Sequence, residues 1–233
     1  MADRYFSEQP ITADRATLDG SEAHHLIHVL RAKPGGRVTL FDGSGAEFVA
    51  EIAKTLRSSV ELDILERNEI DRELPFELTI GVALPKGDRQ RWLVEKAVEL
   101  GVSRIVPLRT ARSVAQPVDK ALSRLRRSVI EASKQCGRNR LMAIEPAQDW
   151  SAFVTAEAGA AVRLLAHPGH DEKLPLRQMF GGAMLAVGPE GGFIDDEVQL
   201  AIEAGWRTVS LGPRILRIET AAIILAAIVS RQV

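Results

Sequence analysis

Two Gly-Pro turns hold the residues of this chain best suited to chemistry. The first lies in "AMLAVGPEGGFIDDE", Ala183 to Glu197. An apolar run, Ala183 to Val187, turns through Gly188-Pro189-Glu190-Gly191-Gly192 and enters an acid-started helix. Bare backbone N–H groups at a strand-to-helix turn usually favour an anion, yet Glu190 places a carboxylate in the middle. The stretch lacks the Lys-Ser/Thr of a phosphate loop, and its glycines miss the Gly-x-Gly-x-x-Gly spacing of dinucleotide sites. A phosphate chain would be repelled. A cationic or neutral ligand needing close backbone approach fits; a tight turn with no ligand is the plain alternative.

The second turn is "SLGPRILRIETAA", Ser210 to Ala222. Here Arg214 and Arg217 flank Ile215-Leu216 before a helix opens at Glu219-Thr220. Open α/β sheets bind ligands where such strand ends meet. The apolar pair could wall a pocket for a flat ring, and the arginines could meet phosphate or base oxygens. A helix lead-in with solvated arginines would look similar. Two further stretches are basic. Lys86, Arg89 and Arg91 open one helix, with Arg109 and Arg112 after the next strand. "SRLRRSVIEASKQCGRNR" carries Arg124, Arg126, Arg127, Lys134, Arg138 and Arg140 against Glu131 alone. Phosphate contact and a subunit contact both fit that helix. Cys136 falls on its apolar face and reads as packing. His24 and His28 are one helical turn apart, beside His25, but no cysteine or acidic pair completes a tetrahedral set, so no metal is expected.

These stretches need a sheet to present them. After Arg72 the chain alternates strands ("ELTIGVAL", "RIVPLR", "AVRLLAH", "AMLAVG", "RTVSLG") with helices at Asp88–Leu100, Val118–Cys136, Trp150–Ala158, Asp195–Ala204 and Glu219–Ser230. That alternation predicts an α/β fold with a mostly parallel sheet covered on both faces. Asp88 is read as an N-cap, and Gly101 and Gly205 as helix stops. Residues 1–72 differ. Strands at Arg37–Phe41, Glu47–Ile52 and Ser59–Leu65 with Gly-rich turns suggest a small antiparallel barrel, and Ser21 could cap a helix over "SEAHHLIHVLR". Two domains are expected, 1–72 and 73–233.

Composition sets the outer bounds. The 233 residues are 45% apolar, with 30 Lys+Arg against 31 Asp+Glu. A protein basic all over is excluded, while a local basic face is not. One cysteine permits no intrachain disulfide. The N-terminal "MADRYFSEQP" has no apolar core of signal-peptide length, and the apolar run Ala221–Val229 is about half of the roughly 20 residues a spanning helix needs. A soluble cytoplasmic protein without membrane contact is expected.

Taken together, "HHLIHVLRAKPGG", "PKGDRQRWLVEKAVELGVSRIVPL", "EASKQCGRNR", "VGPEGGFIDDE" and "LGPRILRIETAA" resemble the ribosomal RNA small subunit methyltransferase E family across nearly the whole chain. The resemblance implies an S-adenosylmethionine (SAM)-dependent enzyme that methylates N3 of a uridine in 16S rRNA of the small ribosomal subunit. It also implies an N-terminal PUA-like β-barrel that binds RNA, a C-terminal SPOUT domain with a trefoil knot, and a homodimer. Three loops would wrap the cofactor: Leu165-Ala166-His167, Gly188-Pro189-Glu190-Gly191-Gly192, and Leu211 with Gly212, Arg214, Ile215 and Leu216. A sulfonium cation explains why Glu190 is tolerated. Arg214 or Arg217 would stabilise the uracil anion, and Glu190 would position the base or act on its proton. Arg4, Arg31, Lys33 and Arg37 of the barrel, with Lys86, Arg124, Arg127 and Arg138, would contact RNA. The nearest rival is another SPOUT enzyme acting on ribose 2′-OH or on tRNA. A non-catalytic RNA-binding protein with a degenerate cofactor site is a rival of a different class.

Overall fold

The computed structural model describes residues 3–113, 119–156, 162–168 and 181–231. The chain divides into two compact units, residues 1–73 with 133–141, and residues 74–132 with 142–233.

The first unit runs β1 (Arg4–Phe6), β2 (Arg15–Leu18), α1 (Gly20–His24), a π-helical turn (His25–Val29), β3 (Arg37–Phe41), β4 (Ala46–Thr55) and β5 (Val60–Glu69). Its strands lie in the order β1-β3-β4-β5-β2. The pairs β3–β4, β4–β5 and β2–β5 are antiparallel, as the hairpin signals predict, whereas β1 joins β3 in parallel. Residues 46–52 alternate strictly between buried and half-buried, which sends Phe48, Ala50 and Ile52 into a core with Tyr5, Leu18, Leu26, Leu40 and Leu62. Register shifts at Val49/Ala50 and Ile52/Lys54 curl the sheet. Ser21 does not cap α1: Asp19 holds the N-cap position and makes no side-chain cap bond. The helix then widens, with Leu30 N–H donating to the His25 carbonyl at 3.0 Å. Arg31 follows at φ 51°.

An ion-pair network ties this unit together. Glu47 accepts from Arg4 Nη1 at 2.7 Å and from Arg72 Nη1 at 3.2 Å. Arg4 also donates to Asn139 Oδ1, and Arg72 to the Gly137 carbonyl. Arg138, 4% exposed, is clamped by Glu73. Lys134 donates to Glu22 at 2.9 Å and lies over the Tyr5 ring. Burial pushes the Glu47 carboxyl up, but hydrogen bonds from Arg4 and Arg72 outweigh it, and its pKa ends below the usual 4.5. Burial, with Asp3 and Glu22 nearby, pushes the Tyr5 hydroxyl to about 12.

The second unit runs β6 (Leu78–Val82), α2 (Asp88–Glu99), β7 (Arg104–Arg109), α3 (Asp119–Cys136, whose last turn groups with the first unit), β8 (Ala143–Ile144), β9 (Gln148–Asp149), α4 (Trp150–Thr155), β10 (Val162–Ala166), β11 (Ala183–Val187), α5 (Asp195–Glu203), β12 (Arg207–Val209) and α6 (Ile218–Ser230). The sheet order is β12-β10-β11-β6-β7-β8, and its pairs are parallel. All five residues of β11 are buried, as expected for a central strand covered on both faces. Helices α2 and α5 end just ahead of Gly101 and Gly205, as predicted. Asp88 is the first residue of α2, not its cap; Gly87 takes that position. Residues 118, 157 and 158, within the predicted helix bounds, lie outside the described residues.

Candidate active site

Strands β10, β11 and β12 are neighbours in one register, with Ala166 opposite both Val187 and Val209. Their carboxyl ends therefore deliver three loops to one place. The loops enclose a cavity of about 650 Å³, within the size of an ordinary small-molecule site. Ala166 and His167 come from the first loop, Gly188 through Phe193 from the second, and Ser210 through Leu216 from the third; Ile218 and Ala221 of α6 add to the wall. Of the residues singled out from sequence for the cofactor or for catalysis, Leu165 and Arg217 do not line it. The Leu165 side chain is fully buried in the core on the other side of its strand.

The second loop is held from below and behind. Trp150, Phe153, Phe193 and Trp206 form an aromatic cluster under it, with Trp150 and Phe193 centroids 4.4 Å apart. Trp150 donates to the Glu197 carbonyl and Trp206 to the Val154 carbonyl. A Cβ on Gly188 would meet the Phe193 ring at 2.9 Å, so only glycine lets the strand end lie on that cluster. Gly192 N–H closes the turn by donating to the Pro189 carbonyl at 2.8 Å. Two residues not singled out for roles fix the turn further. Arg112 Nη1 donates to the Gly191 carbonyl at 2.6 Å. The buried Glu197 carboxylate accepts from the N–H of Ile194, which caps α5, and from the N–H of Ala111. Glu197 has a sequence signal, an acid three residues after the cap; Arg112 has none beyond its place after β7.

In the third loop Gly212 sits at φ 105°, which disfavours any side chain, and donates to Ser210 Oγ. Pro213, Arg214, Ile215 and Arg217 are exposed, Ile215 at 97%. Arg214 and Arg217 have no ion pair or side-chain hydrogen bond among the described residues. Glu190 at the rim faces Arg89 Nη2 at 3.7 Å.

Such walls suit a particular kind of ligand. Val187, Val209, Leu211, Leu216 and Ile218 give apolar surface, glycine backbone gives hydrogen-bonding groups, and one carboxylate stands at the rim. An uncharged ring beside a cationic centre fits these donors and acceptors better than a polyphosphate does. The other sequence candidates lie elsewhere. Arg31, Lys33, Arg37, Lys86, Arg124 and Arg127 are exposed; Arg4 and Arg138 are inside the ion-pair network of the first unit. Among the described residues no group of histidine, cysteine and acidic side chains could hold a metal, and no helix is long and apolar enough to cross a membrane.

Comparison with known proteins agrees with this geometry. Residues 72–230 match the RNA methyltransferase domain family, and residues 18–65 match the RNA methyltransferase PUA domain. The Bacillus subtilis ribosomal RNA small subunit methyltransferase E is 31% identical over 98% of this chain and 96% of its own. The Neisseria gonorrhoeae ribosomal RNA small subunit methyltransferase E, solved bound to S-adenosyl methionine, superposes with a TM-score of 0.88 at 32% identity, covering 97% of this chain and 96% of that one. The Legionella pneumophila protein Lpg2936, solved with the bound cofactor SAM, gives 0.91 at 31% identity, covering 99% and 98%. A parallel α/β unit with converging strand-end loops, joined to a curled PUA-like sheet, is thus shared with these relatives over nearly full length, and the chain belongs to the ribosomal RNA small subunit methyltransferase E family.

Proposed function

We propose that this chain is a SAM-dependent methyltransferase of small-subunit ribosomal RNA, and that the atom it methylates is N3 of a uridine. The observation that carries the proposal is the cavity at the ends of β10, β11 and β12, in a chain whose SAM-bound relatives share its fold over nearly full length. Backbone groups of Gly188–Gly192 and Leu211–Leu216, with Ala166 and His167, hold the cofactor, and Ile215 and Leu216 flank its ring. The same reading makes the β10–β12 region the knotted part of the domain. SAM supplies an activated methyl on a sulfonium.

The protein's own residues then have three tasks. They hold the acceptor nitrogen in line with the methyl, an orientation effect worth roughly 7–11 kcal/mol in favourable intramolecular cases. Arg214, exposed at the rim and without a partner among the described residues, stabilises the negative charge that spreads to uracil O2 and O4 once the N3 proton leaves. Arg217 supports it from outside the cavity. Glu190 orients the base or accepts that proton.

RNA contact falls to the exposed cations, Arg31, Lys33 and Arg37 in one unit and Lys86, Arg124 and Arg127 in the other. Arg4 and Arg138 are assigned to holding the first unit together, because their guanidinium groups are already committed. Half-exposed Ile223, Ile224, Ala227 and Ile228 make an apolar stripe on α6, which we assign to contact with a second copy in a cytoplasmic homodimer. The test is methylation of purified 16S rRNA and of small subunits with labelled SAM, followed by nucleoside mass spectrometry. The expected product is 3-methyluridine. A ribose 2′-O-methyl product would shift the reading to the rival chemistry, and no product with tight RNA binding would make the chain a binding protein.

A further inference from the structure

We infer that Arg89 is a positioning residue that couples the Glu190 turn to the start of α6, so that two walls of the cavity are held in one geometry. This rests on the reading of the cavity as a SAM site. Arg89 is the second residue of α2, which follows β6, the neighbour of β11. Its two terminal nitrogens face two carboxylates: Nη2 is 3.7 Å from Glu190 Oε1, and Nη1 is 3.9 Å from Glu219 Oε2. Glu190 lines the cavity, and Glu219 directly follows Ile218, which also lines it.

Glu219 is the unusual member. It is 6% exposed, and its Oε2 has no hydrogen-bond partner among the described residues. A buried carboxylate in that state depends on a nearby cation, and Arg89 is the cation paired with it among the described residues. Both contacts are longer than hydrogen bonds, so the guanidinium is shared and not locked to either side. A fork with separate nitrogens can serve two carboxylates from different loops; a single ammonium cannot match it. Removing Arg89 leaves two carboxylates, one of them buried, without the cation they share, and lets the Glu190 turn and the α6 start drift apart.

Calorimetry with SAM on the full chain, paired with thermal melting, tests this. Arg89→Ala should weaken SAM binding at least tenfold, with Arg89→Lys in between. Arg89→Ala/Glu219→Gln removes the stranded buried charge, so it should recover melting temperature but not SAM affinity. Glu95→Ala, which breaks the surface Arg91–Glu95 pair on the same helix, should bind SAM as the parent does. Wild-type affinity in Arg89→Ala, or recovery of affinity together with stability in the double variant, would overturn the coupling alone. A parent protein that takes up no SAM would overturn the underlying reading of the cavity as well.

Discussion

Arginine serves opposite ends in two regions of the molecule, the ion-pair network of the first unit and the loop after β12. In the first, Arg4, Arg72 and Arg138 are spent on internal ties, to Glu47, Asn139, Gly137 and Glu73. In the loop after β12, Arg214 and Arg217 are exposed beside a cavity and have no partner among the described residues. A guanidinium without a partner among the described residues is available to a ligand, and the loop that carries it turns through Gly212 at φ 105°, a conformation glycine adopts readily. The difference separates cations that hold the protein from cations left over for a ligand. Arg89 falls between them, half-exposed and shared by two carboxylates.

Substitutions at the two extremes should therefore fail in different assays. The largest effect is expected for Arg214→Ala, which should slow single-turnover methylation about 10²- to 10³-fold, the usual cost of one anion-stabilising donor. Its melting temperature should stay at the parent value; a large drop there would erase the distinction. Glu47→Gln should do the reverse, costing about 3 kcal/mol of stability, chiefly because the mostly buried Arg4 guanidinium loses its counter-charge, while the exposed Arg72 loses only a solvent-screened one, with SAM affinity unchanged. The deficit should depend on pH in a fixed direction. The folded pKa of Glu47 lies below its unfolded value of about 4.5, so its contribution is complete above that value and is lost as pH falls through the folded pKa. Urea denaturation of parent and variant should converge in that acidic window and not near neutrality.

Two smaller effects sharpen the contrast. Gly188→Ala should lose about 1–3 kcal/mol through overpacking against Phe193 and should weaken SAM binding as well, since the strand end it moves is a cavity wall. Loss of stability with unchanged SAM affinity would detach the second loop from the site. Lys33→Ala should leave SAM binding and stability alone and reduce the slope of log RNA affinity against log salt by about one. An unchanged slope would place Lys33 outside the RNA contact.

What could be read from sequence followed how local each feature is. The parallel α/β alternation was legible because β6, β7, β10 and β11 are mostly apolar runs between helical stripes. Two of the three converging loops were legible from glycine, proline and charge at strand ends, whereas the first, at Leu165-Ala166-His167, followed only from the family resemblance. Short elements were not: β1, β2, β8 and β9 have two to four residues each, too few to show alternation. The π-helical turn at His25–Val29 was hidden too, since its residues fit an ordinary helix equally well. Partner choice was the deepest loss. "GRNR" looks like a free basic tail of a helix, yet Arg138 and Asn139 are buried against residues over 60 positions away. Arg89 and Glu219 lie 130 positions apart, and nothing local joins them.

The most direct test of the account is a crystal structure of the chain with S-adenosylhomocysteine, the demethylated product. Density for it should fill the cavity between Gly188–Gly192 and Leu211–Leu216, with Arg214 at the open side near the sulfur. Product bound at any other surface, with those loops unchanged and vacant, would contradict the assignment.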